Sequence, residues 1–149
     1  MLLELLHNPA LIAGFFAMLT AQLLKPFFHY LMNHKWDWFL LLDSGGMPSS
    51  HSSMSTATAV AIGLTEGFNT STFAVALVIT IIVTYDAANV RWQSGLHAQR
   101  INQLIRDVFN RQQINEELLK EVIGHTPRQV YAGVFWGIIV AFIVVRLMV

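Results

Sequence analysis

Long apolar stretches govern what this chain can become. Residues 9 to 32 contain only Thr20, Gln22, Lys25 and His29 as plainly polar members, and a helix of about 20 apolar residues is enough to cross a bilayer. No Lys or Arg precedes this stretch and no small-residue cleavage site follows it, so it reads as a span rather than a removable signal peptide. Residues 130 to 149 form a second clear span, with Gly133 and Gly137 at the spacing that lets membrane helices pack closely. Two shorter helices are expected between them, from about Ser50 to Leu64 and over residues 70 to 85, joined by a turn at Glu66-Gly67-Phe68-Asn69. The former is rich in Ser, Thr and Ala, which favour close helix approach.

A polar insert, 86 to 128, separates the last two spans. Within it Ile101, Leu104, Ile105 and Val108 recur at helical spacing, which predicts an amphipathic helix along the membrane surface. Asn115-Glu116-Glu117 reads as a further helix start and Gly124 as its stop. The insert carries Arg91, Arg100, Arg106, Arg111, Lys120 and Arg128, whereas the 66 to 71 turn carries no basic residue. By the positive-inside rule the insert is cytoplasmic, together with Lys25 and the 33 to 52 loop, where Trp36 and Trp38 read as interfacial aromatics. The N- and C-termini then lie on the opposite side. Only 12% of the 149 residues are charged, about half the fraction usual in soluble domains. The expected fold is therefore all-α: one integral-membrane helical bundle over residues 1 to 149, with about four transmembrane helices and a cytoplasmic amphipathic insert.

Composition also narrows the chemistry. Nine Lys/Arg balance nine Asp/Glu, and without a basic face nucleic acid is not expected as a partner. The absence of Cys excludes disulfides and thiolate nucleophiles. With no HExxH, aspartate cluster or P-loop, neither a metal nor a nucleotide cofactor is expected.

The loop Asp43-Ser44-Gly45-Gly46-Met47-Pro48-Ser49-Ser50-His51-Ser52 is the richest segment. Two glycines permit a tight turn, and the serines open a helix whose N-terminus carries partial positive charge, an arrangement that cradles phosphate. His51 lies in the first helical turn, suited either to protonating a leaving oxygen or to a plain interfacial role. Lys25 shares a helix stripe with Gln22 and His29. An ionisable residue inside a span marks a functional site by default, although a lysine near a helix end also snorkels to the headgroups. Arg91, in Tyr85-Asp86-Ala87-Ala88-Asn89-Val90-Arg91, supplies a second positive charge or a membrane anchor. The last span opens at Gly124-His125-Thr126-Pro127-Arg128-Gln129: Thr126 suits the N-cap, Pro127 the first helical position and Gln129 the reciprocal position of a capping box. Two helix starts, His51, His125, Lys25 and Arg91 thus fall on one membrane face, where they can surround one phosphate. His97, also in the insert, is an alternative nucleophile to His125.

Taken together, Ser44 to Ser52, Tyr85-Asp86-Ala87 with Val90-Arg91, and Gly124 to Pro127 followed by Val130 and Gly133 resemble the divergent PAP2 family, small membrane proteins related to acid phosphatases and vanadium-dependent haloperoxidases. The resemblance spans roughly residues 10 to 148. It implies a metal-independent phosphatase acting on lipid or isoprenoid phosphates or pyrophosphates through a phosphohistidine. The residues it implies are Lys25, Arg91, Gly46, Ser49 and Ser50 at the phosphate, His51 as acid and His125 as nucleophile, with Asp86 and Gln129 in support. Met32 and Asn33 stand where the wider superfamily has Arg-Pro. An Arg before and an Asp after the nucleophile are expected; Leu119 and Gln129 take those places around His125, and Arg91 and Ile101 around His97. The alternative reading is a non-catalytic phospholipid-headgroup binder with a retained anion pocket. A transporter using Gln22, Lys25 and His29 is a third reading, and a homo-oligomer is compatible with all of them.

Overall fold

The computed structural model describes residues 2–43, 45–109 and 126–149, and these are helical apart from short connections. A short α1 (Leu2–Leu6) precedes α2 (Pro9–Asn33), whose N-cap Asn8 accepts from the backbone N–H groups of Ala10 and Leu11. One 3₁₀ turn, Trp38–Leu41, lies in the loop before α3 (Ser50–Glu66). Next come α4 (Ser71–Ala88) and α5 (Val90–Phe109), separated only by Asn89, and finally α6 (Pro127–Met148). The helix expected from Ile101, Leu104 and Ile105 lies within α5, where Ile101 and Leu104 are exposed. The helix start expected at Asn115 to Glu117 and its stop at Gly124 lie outside the described residues, as do Arg111 and Lys120.

Among the described residues three helical stretches are long and apolar enough to cross a membrane: Pro9–Asn33, Ser71–Arg106 and Pro127–Met148. The expectation of about four spans thus meets three on length and apolarity. The difference is α3, whose 17 residues make about 26 Å of helix, somewhat short of the roughly 30 Å hydrocarbon core. Its composition follows from its place, because α3 packs against α2, α4 and α6 at once. An enclosed helix meets protein on most sides and has room for Ser, Thr, Ala and Gly.

Small residues build the interior. On α2, Ala10, Ala13, Ala17 and Ala21 are buried at helical spacing, and the first three share one cluster with Ala57 and Ala61 of α3 and Val140, Ala141 and Val144 of α6. The α3–α6 contact is the closest. A Cβ on Gly133 would fall 2.5 Å from the Ser49 carbonyl oxygen, and one on Gly137 2.5 Å from that of Ser53. The glycine pair expected to pack on a neighbour therefore admits the backbone of α3. Polar bonds fix the same joint: Ser53 Oγ lies 2.8 Å from the Ser49 carbonyl and 3.0 Å from that of Gly133, and Trp136 Nε1 donates to Thr20 Oγ1 of α2 at 2.9 Å.

Adding a side chain at this joint has a defined outcome. Gly137→Leu is expected to lower stability by about 1–3 kcal/mol through overpacking, read as a fall in Tm in detergent micelles. By contrast, Phe135→Ala on the outward face of α6, where Phe135 is 66% exposed, is expected to change it by no more than about 0.5 kcal/mol.

Candidate functional site

At one end of the bundle the chain leaves α2, doubles back through residues 34 to 49 and enters α3, and α6 begins beside it. The meeting of the two helix starts is direct, because the backbone N–H of Ser49, the N-cap of α3, donates to the Gln129 carbonyl in the first turn of α6 at 3.0 Å. Gln129 also closes the capping box, its Oε1 accepting from the Thr126 N–H at 2.9 Å. Its side chain is thereby committed to its own helix end.

Lys25 is buried, with 2% of its surface exposed, so it does not snorkel. Its Nζ donates to the Asp43 carbonyl at 2.8 Å, and its methylenes lie against Gly46, where a Cβ would stand 3.4 Å from Lys25 Cδ. Gly46 has φ +89°, a conformation that side chains disfavour. The glycine is needed for both turn and space. The lysine, the glycine loop and the serine-capped helix therefore meet in one place.

Gln22 holds them together. Its side-chain amide donates to the carbonyls of Leu41 at 2.8 Å and Asp43 at 3.1 Å and lies 3.4 Å from that of Leu40, while its Oε1 accepts from Ser50 Oγ. Asp43 is the hub on the loop side: its carbonyl receives both Gln22 and Lys25, and its Oδ1 accepts from the Gly45 N–H at 3.3 Å. From the sequence Gln22 is expected only as a member of the Lys25 stripe and Asp43 only as the first residue of the glycine loop, and neither is expected to organise the site. The signals were the Asp-x-Gly turn and the position of Gln22 three residues before Lys25. His29, the third member of that stripe, instead pairs with Asn33 of its own helix at 3.1 Å.

The serines serve the fold. Ser49 Oγ accepts from the N–H and hydroxyl of Ser52, Ser50 Oγ donates to Gln22, and Ser53 bridges to α6. The hydroxyls of Ser49, Ser50 and Ser53 are thereby engaged within the protein, and the turn stands at the partial positive charge of the α3 N-terminus. His51 is exposed and lines an apolar groove of about 720 Å³ between α3 and α4. Asp86 is half-buried near the end of α4 and His97 is exposed on α5. Arg91 lies in the first turn of α5, and its side chain is outside the described part of the structure, while His125 lies outside the described residues altogether.

These features define a helical membrane protein with a buried cation and two helix N-termini gathered at one end. The chain belongs to the divergent PAP2 family, which it matches over residues 6–140. It is also 35% identical to the uncharacterized membrane protein YuiD of Bacillus subtilis (strain 168), over 95% of this chain and 96% of that relative. No solved structure matches it.

The role of Gln22 is open to a direct check. Gln22→Leu removes every side-chain bond from α2 to the Leu40, Leu41 and Ser50 positions. Since net hydrogen bonds contribute about 1 kcal/mol each, the amides of Leu42 and Gly45 are expected to exchange with deuterium at least about tenfold faster than in the parent protein. Amides in the middle of α6 should be unaffected.

Proposed function

We propose that the protein is a metal-independent phosphatase that hydrolyses a lipid or isoprenoid phosphate or pyrophosphate at the end of the bundle carrying the Lys25 loop, the cytoplasmic end on the distribution of basic residues. One observation carries this reading. The buried Lys25 ammonium has three N–H donors, and its hydrogen bond among the described residues is to the Asp43 carbonyl. A buried cation with donor capacity to spare selects an anion. The α3 N-terminus adds partial positive charge, and Arg91 supplies the second full charge to offset a phosphate monoester.

On this reading an imidazole nitrogen of His125 attacks phosphorus, forming the N–P bond as the P–O bond to the lipid breaks. The departing oxygen takes a proton from His51. Water then attacks phosphorus, His51 accepts its proton, and the N–P bond breaks to release phosphate. His97 is the alternative nucleophile, Asp86 and Gln129 have supporting roles, and Gly46, Ser49 and Ser50 shape the phosphate turn. Membership of a family related to acid phosphatases supports this chemistry.

A second reading keeps the anion pocket and drops turnover. It is favoured by the position of Gln129, a neutral residue engaged in capping Thr126, where the superfamily pattern has a carboxylate. A protein of this kind holds phospholipid headgroups without cleaving them.

The two are separated by phosphate release from phosphatidic acid, phosphatidylglycerophosphate and undecaprenyl pyrophosphate with purified protein. The phosphatase reading expects activity with a bell-shaped pH profile, since one histidine must be neutral and the other protonated, and a loss of roughly 10²–10⁴-fold in His51→Ala and His125→Ala. Release no greater from the parent protein than from these variants overturns it. Vanadate binding that is lost in Lys25→Met, without any release, establishes the headgroup binder instead.

A further inference from the structure

The groove between α3 and α4 begins at the proposed proton donor and leads away from the polar loop. His51 stands at one end and Ile62 towards the other, a distance of about 16 Å along the helix at the usual rise per residue. Met54 forms the α3 wall, and Val75, Ile79 and Val83 form the α4 wall.

The hydroxyls of Thr80, Ser55 and Thr58 along it are engaged away from the groove. Thr80 Oγ1 lies 2.9 Å from both the Ser55 and Ala76 carbonyls, tying α4 to α3 across the floor. Ser55 Oγ donates back to the Ser52 carbonyl at 3.3 Å. The Thr58 hydroxyl faces α2, so close to Gly14 that a Cβ there would lie 2.2 Å away. The surface left towards the groove is predominantly hydrocarbon, with Ser71 and Thr72 at the end away from His51.

Its surroundings point the same way. The outward residues of α4, among them Val78 and Ile82, are exposed, and on a helix apolar enough to cross a membrane they meet lipid chains. The groove therefore opens sideways into the bilayer at its flank and reaches His51 at its end. A ligand that runs along it and ends at His51 is a chain with a polar terminus.

We infer that this groove holds one hydrocarbon chain of the lipid whose phosphate is bound beside His51. The inference rests on the proposed phosphatase reading for its headgroup and adds the site for its tail. It makes chain length a determinant of recognition, with His51 at the boundary between the two parts.

Two measurements test it. A phosphatidic acid carrying a photoreactive diazirine along one acyl chain is reconstituted with the full-length protein in nanodiscs, and adducts are mapped by mass spectrometry. Labelling should concentrate on groove residues of α3 and α4 and fall by about tenfold in Ala76→Trp, whose indole occupies the groove. Phe135→Trp, on the outward face of α6, should leave it unchanged. In parallel, Ala76→Trp should raise KM for long-chain lipid phosphates by about tenfold while sparing a six-carbon alkyl phosphate. Labelling spread evenly over all outward faces, or unchanged in Ala76→Trp, overturns the tail site even if hydrolysis proceeds. Adducts between two copies of the chain through α3 and α4 also overturn it, making the groove a helix-docking surface. Groove labelling without any hydrolysis upholds the tail site and counts against the phosphatase.

Discussion

In a bilayer the solvent is as apolar as leucine, so helices gain little from burying large side chains against one another and associate through close packing and polar contacts instead. The whole bundle here depends on that constraint at one joint, where α6 presents Gly133 and Gly137 to the backbone of α3. Because α3 also packs against α2 and α4, its position fixes theirs. The Ser53 hydroxyl sits between two carbonyls on different helices and fixes rotation as well as distance. The same joint sets the level of the two helix starts, through Ser49 and Gln129.

A second constraint operates at the loop. A lysine buried in protein needs its charge solvated by fixed dipoles, and here these come from a backbone carbonyl that only a tightly turned loop can deliver. Gln22 supplies the turn with donors, Asp43 supplies the acceptor, and Gly46 lets the chain pass over the lysine stem. Labour is thereby divided within one motif. Its serines hold helices together, and its glycine lets the loop close over the lysine beneath.

Much of this was legible in the residues because it was written in residue types. Apolar length marked α2 and α6, glycine spacing marked the α3–α6 joint, and Thr126, Pro127 and Gln129 marked the last helix start. The count of spans was less so, since α3, legible as a helix from about Ser50 to Leu64, is chosen for close packing rather than for lipid and is too short to count as a span by length and apolarity. The alanine stripe of α2 carried a helical period that points to its buried face, yet alanine alone draws little notice. Gln22 and Asp43 were hidden for a different reason. Their partners are largely main-chain carbonyls and amides, which every residue possesses, and no spacing rule links Gln22 to carbonyls that follow it by a loop's length.

The first turn of α3 joins these two constraints in a way that bears on the ligand. Successive residues on a helix point about 100° apart, so Ser50 faces Gln22 and the polar loop while His51 faces the apolar groove beside α4. A soluble phosphate has no use for the groove, and a neutral lipid has no use for the buried lysine. On the proposed reading, an amphiphile with an anionic head engages both sides of this turn. On that reading the oxygen His51 serves is the one linking head to tail, and in an amphiphile bound across the turn that atom lies between the lysine loop and the groove.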